Sequence, residues 1–150
     1  MSAASELAGI PANFPPLIRT SFENEQDWES LLHDLKHQYL DPDLNYDVVT
    51  IIDDHAYEGM TPGEIIARAR SERAECTVDW DFCLVADSYS LTTSEHPVLA
   101  VPADTGCHTF RVRISDVAEV VLPVTFGTLG WEHYTDLDEN GVMKPLNSRR

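Results

Sequence analysis

The chain has 150 residues, 43% of them apolar and 24% charged, which suits one globular domain with a core of its own and no need of disulfide or metal staples. Twenty-six acidic residues oppose ten basic ones, and the resulting net charge of −16 repels phosphate backbones and anionic headgroups. Nucleic-acid and membrane-surface binding are therefore the functions least expected of it.

Met1 to Pro15 is rich in Ala, Ser and Pro and is expected to be a loose arm, without the basic and apolar segments of a secretory signal. Pro16 to Thr20 reads as a first strand. From Asn24 to Tyr39, Trp28, Leu31, Leu32, Leu35 and Tyr39 fall on one helical stripe, with Asn24 as cap and Glu25, Asp27 and Glu29 at the positive end of the dipole. Asp41-Pro42-Asp43 ends that unit. Val48 to Ile52 is a β-branched run of the kind buried on both faces of a sheet.

After a loop from Asp53 to Met60, Thr61-Pro62-Gly63-Glu64 is a capping box, opening a helix to about Ala74 that buries Ile65, Ile66 and Ala69. Phe82 to Ala86 is a third buried strand. Val98 to Val101 and Thr109 to Ile114 follow as strands, separated by a turn at Asp104-Thr105-Gly106. Val117 to Leu122 fits strand or helix. Trp131 to Leu137 is expected to be a short helix, closed by Asn140-Gly141.

The order predicts an α/β fold: one small domain over residues 16–146, a mixed sheet with a parallel β-α-β-α-β core and added edge strands, and a tail at 147–150. Cys76, Cys83 and Cys107 make no C-x-x-C pair, so free thiols and a cytoplasmic location are expected. No run approaches the length of a transmembrane span.

In open parallel sheets, ligands gather outside the carboxyl ends of the strands. Those ends carry Arg19, then Asp53-Asp54-His55 with Tyr57 beyond, and Asp87. Asp53, Asp54 and Asp87 offer hard oxygen ligands for a divalent cation, and Arg19 can clamp an anionic group. The competing reading makes them turn-forming, solvated residues. No cofactor is required by the sequence.

Other constellations are weaker. Asp136-Leu137-Asp138-Glu139-Asn140-Gly141 matches half of a calcium loop, but Asn147 stands where a bidentate glutamate belongs and Pro145 blocks an exiting helix, so a turn is preferred. His33 and His37 share a helix face opposite the apolar stripe and read as solvated. Cys107-His108 alternates across a strand, so the two side chains point apart. His96, before Pro97, reads as a turn residue, and His133 has no evident partner. There is no G-x-G-x-x-G, no P-loop and no G-x-S-x-G. Gly127-Thr128-Leu129-Gly130 carries no lysine.

Several stretches carry a resemblance. They are Leu17-Ile18-Arg19-Thr20-Ser21-Phe22 with Trp28, then Asp53 to Thr61, Val85-Ala86-Asp87 and Ser94-Glu95-His96-Pro97. Thr109-Phe110-Arg111-Val112 and Asp138-Glu139-Asn140-Gly141-Val142 complete the set, in order. In these the chain resembles an uncharacterised, mainly bacterial family of small α/β domains of unknown function. The family usually has arginine where His108 stands and often Asp at Asn140. The resemblance implies one α/β domain and assigns no catalytic residue. Two functions stay open on the sequence: an acidic module, inhibitor- or immunity-like, that engages a basic protein partner, or an enzyme or ligand-binding protein using the strand-end crevice.

Overall fold

A computed structural model describes residues 7–36, 49–104, 106–125, 127 and 130–144. The expected features at His37, Tyr39, Asp41-Pro42-Asp43, Val48, Thr105, Thr128, Leu129, Pro145 and Asn147, and the tail at 147–150, lie outside the described residues.

The strands are β1 (Pro16–Arg19), β2 (Thr50–Ile52), β3 (Phe82–Ala86), β4 (Pro97–Pro102) and β5 (Phe110–Arg113). They form one sheet in the order β2-β1-β3-β4-β5. β1 lies parallel to both β2 and β3, while β4 and β5 add antiparallel beyond β3. This is the mixed α/β sheet expected, with a parallel core and added strands on one side.

Helices α1 (Glu25–Lys36) and α2 (Pro62–Ser71) cover opposite faces. Alternation along the strands explains the division. Leu17, Phe82, Leu84, Ala86, Val98, Ala100, Phe110 and Val112 pack with Trp28, Leu31 and Leu35 of α1. Ile18, Cys83, Val85 and Val101 pack with Ile65, Ile66 and Ala69 of α2. Connections that leave β1 and β2 on opposite faces are what right-handed crossovers require when β1 lies between β2 and β3.

Both caps are formed. Asn24 Oδ1 accepts from the backbone N–H groups of Gln26 and Asp27, and Thr61 and Glu64 bond reciprocally as a capping box. The undecided stretch after Val117 is helix α4 (Ala118–Thr125), which buries Ala118, Val120 and Val121.

Four elements depart from the sequence expectation. β2 is an edge strand, and Ile51 at its centre is 41% exposed, because β1 rather than β2 takes the interior place. Its β-branched composition does not distinguish the two positions. Leu7–Gly9, placed in a loose arm, is a 3-10 turn with Leu7 and Ala8 buried. The Trp80 indole donates to the Leu7 carbonyl, and the Ala8 N–H donates to Glu72 Oε1. A helix not foreseen, α3 (Ser88–Thr92), follows β3 directly. The helix expected over 131–137 shrinks to a 3-10 turn at Trp131–His133, followed by a bridge from Leu137 to Met143.

Candidate functional site: the carboxyl ends of the strands

Arg19 closes β1 and its side chain is only 2% exposed. Each of its side-chain nitrogens donates to the protein: Nε to the Ser21 carbonyl (2.9 Å), Nη1 to Asp53 Oδ1 (3.2 Å) and Nη2 to Glu25 Oε1 (3.0 Å). The guanidinium also lies 4.2 Å from the Phe22 ring centroid and 5.0 Å from that of Trp28. A cation so placed is held by aromatic faces as well as by charge. It is consumed internally, and the role of anion clamp expected for it is taken by the chain's own carboxylates.

The carboxylates remain outside. Glu25 is 65% and Asp53 45% exposed. The loop after β2 is tied to the end of β1 by the Gly59 N–H, which donates to the Thr20 carbonyl at 2.9 Å. The tie brings His55, 76% exposed, onto Phe22 with ring centroids 3.9 Å apart, and Nδ1 of His55 lies 3.3 Å from Glu58 Oε1. Asp54 accepts from the Ala56 N–H and so caps the turn His55–Tyr57. Tyr57 points the other way, into the α2 face of the core under the Arg68 guanidinium. Burial raises its phenol above the ordinary value, and Arg68 only partly offsets this.

Asp87, at the end of β3, belongs to a separate network. It caps α3 by accepting from the Ser90 N–H, and Arg111 of β5 grips both of its oxygens at 3.1 and 2.9 Å. Arg111 donates further to the Pro97 carbonyl and stacks on Tyr89. Burial by itself would raise Asp87, but the Arg111 and Ser90 donors outweigh it and its pKa falls below the ordinary value. The structure therefore brings Arg19, Asp53 and His55 together through Phe22, and leaves Asp87 with Arg111.

Among the described residues no three His, Cys, Asp or Glu side chains gather as a metal site. The trio of Asp53, Asp54 and Asp87 expected to hold a divalent cation is split among Arg19, the cap at Ala56 and Arg111. Asp138, in the half calcium loop, accepts from the Asn140 and Val142 N–H groups and forms a turn with Gly141 at a φ of 78°. Its pKa is lowered chiefly by the Val142 N–H. His108 donates to the Tyr134 carbonyl.

Two arrangements escaped the sequence reading. One is the Arg111–Asp87 fork. The other joins α1 to the turn before β4: buried His96 places Nδ1 3.0 Å from the Ser90 carbonyl and Nε2 3.2 Å from Ser30 Oγ, with Asp34 Oδ2 3.8 Å from the same Nε2. No spacing rule links residues 66 positions apart. The i, i+4 placement of Ser30 and Asp34 on α1 was the available signal.

A family model described as a domain of unknown function, DUF6924, matches residues 14–146. The chain belongs to this family. Comparison with curated proteins gives no match. The DUF6924 match spans every strand and helix described above, and it begins after the buried turn at Leu7–Gly9. Among the described residues, no helix is long and apolar enough to cross a membrane.

Proposed function

We propose that this DUF6924 protein is an acidic interaction module, inhibitor- or immunity-like, whose surface at the ends of β1 and β2 docks a basic protein partner. The observation that carries the reading is the arrangement around Arg19. The cation is buried with each of its side-chain nitrogens bonded within the chain, while Glu25, Asp53, Asp54 and Glu58 hold their charge outward around the Phe22–His55 stack. Exposed carboxylates of one sign steer a cationic partner and fix its register, and an aromatic stack at their centre supplies area to bury. A net charge of −16 reinforces the steering.

Affinity capture tests this with a matched control. One variant carries Asp53→Asn, Asp54→Asn and Glu58→Gln; the other removes as much charge elsewhere, by Glu75→Gln, Asp104→Asn and Glu132→Gln, all exposed. A basic protein retained by the wild type is expected to be retained by the second variant and lost by the first, with a steep salt dependence. Equal loss from both would reduce the effect to bulk charge and refute the proposal.

A further inference from the structure

We infer that Ser30 is an acyl-accepting nucleophile activated by His96, a site separate from the acidic surface and independent of its function. A backbone carbonyl can only accept, so the Ser90 carbonyl at 3.0 Å fixes the proton of the neutral imidazole on Nδ1. Nε2 then carries the lone pair, and the Ser30 hydroxyl 3.2 Å away donates to it. A nucleophile bonded to a base, whose far nitrogen is in turn held by a third group, is the arrangement that activates a hydroxyl.

Three further observations suit this role. His96 is 8% exposed whereas Ser30 on α1 is open to solvent, so the base is sheltered and the hydroxyl reachable. Glu95 and His96 both have left-handed backbones, with φ of 67° and 47°, in a turn that carries the ring beneath α1. Non-glycine residues rarely adopt that region, and such outliers collect at functional sites. Asp34 stands one helical turn from Ser30, 3.8 Å from Nε2, where it faces the positive charge that appears when the imidazole takes a proton.

The step balances without a cofactor. Ser30 Oγ forms a bond to the carbonyl carbon of an activated ester while its proton passes to His96 Nε2. The ester C–O bond then breaks, and the departing alkoxide leaves as the alcohol with that proton. Asp27 and Asp34, one turn to either side of Ser30, disfavour anionic donors, so the acyl donor is a neutral or cationic ester.

The probe is p-nitrophenyl acetate with the intact protein, read by release of p-nitrophenol and by peptide mass spectrometry. Acetyl is expected on Ser30 well ahead of the exposed hydroxyls of Ser88 and Ser94, and the Ser30-dependent rate, with Ser30→Ala as blank, should climb with pH along one ionisation and then level off. His96→Gln, with its fold checked by thermal melting, should slow acetylation of Ser30 about a hundredfold or more, the range for general-base assistance. If His96→Gln does not fold, the pH profile and the Ser88 and Ser94 comparison decide. Acetylation of Ser30 no faster than of Ser88 and Ser94, a rate indifferent to pH, or an unchanged rate in folded His96→Gln each overturns the inference.

Discussion

The ends of β1 and β3 lie side by side in the sheet, and each holds an ion pair built in the opposite sense. At β1 the cation is buried and its carboxylates face water. At β3 the carboxylate is half-buried and gripped by a two-pronged guanidinium while it caps a helix. The difference decides what is left for other molecules. A carboxylate with both oxygens on one arginine, and one of them on a helix N–H, has little capacity to spare. A carboxylate that gives one oxygen to a shielded arginine keeps most of its field in solvent. The proposed interaction surface accordingly belongs to the first region, while the second fixes α3.

If that contrast is right, Arg19→Ala has the largest effect. It empties the space between Phe22 and Trp28, and urea melts should show a loss of about 3–5 kcal/mol, mostly from packing. A loss below 1 kcal/mol would mean that Arg19 is not the centre of its region.

Next comes Asp87→Ala, which removes a helix cap and both prongs from Arg111. Its expected cost at neutral pH is about 2–4 kcal/mol. Because the folded pKa of Asp87 is lowered, its contribution is present above the ordinary carboxylate value and fades as acid brings the pH down through the folded one. Melts of wild type and variant should therefore converge in acid.

Asp116 sharpens the comparison, being a buried carboxylate that no arginine grips with two prongs among the described residues, although the Arg113 charge lies near it. Burial, then the nearby charge of Glu119, lifts it from 3.8 to about 6. A raised pKa means that protonation favours the fold, and this stabilisation is lost as the pH rises from the ordinary value through about 6. At pH 7, Asp116→Asn should be more stable than the wild type by up to about 3 kcal/mol, and the gap should close near pH 4. A variant less stable at both pH values would contradict the assignment.

The smallest effect is expected from Asp53→Asn, below about 1 kcal/mol, since an exposed partner of Arg19 is readily replaced by water and by Glu25. A thermal melt showing more than about 2 kcal/mol would make Asp53 a structural anchor and undo the distinction between the two regions.

Much of the fold was legible because local chemistry and global position agree. The Trp28–Leu31–Leu35 stripe, the Thr61–Glu64 box and the run from Phe82 to Ala86 each admit one reading, and the structure has it. β2 misled because a β-branched run describes the strand and not its place in the sheet. α3 was hidden by its length, five residues, although Asp87 and Ser90 at N-cap and N3 were visible in retrospect. Leu7–Gly9 was hidden because small and apolar residues near a terminus look like an arm until Trp80 and Glu72 bind them. The strand-end residues were placed correctly along the chain, yet their partners, Arg111 for Asp87 and Phe22 for His55, depend on side-chain directions that spacing does not give.

Cys83 has a use of its own. It sits in β3, packed between β1 and β4, fully buried, with its thiol pushed up to about 12 by burial. Alkylation needs a thiolate that a reagent can reach, so the native thiol is silent while exposed Cys76 and Cys107 react at once. With those two blocked first, the remaining slow labelling of Cys83 counts excursions in which the central strand itself comes apart. The protein thus carries an internal clock for its own opening, which a maleimide and a mass spectrometer can read without denaturant and without an engineered label.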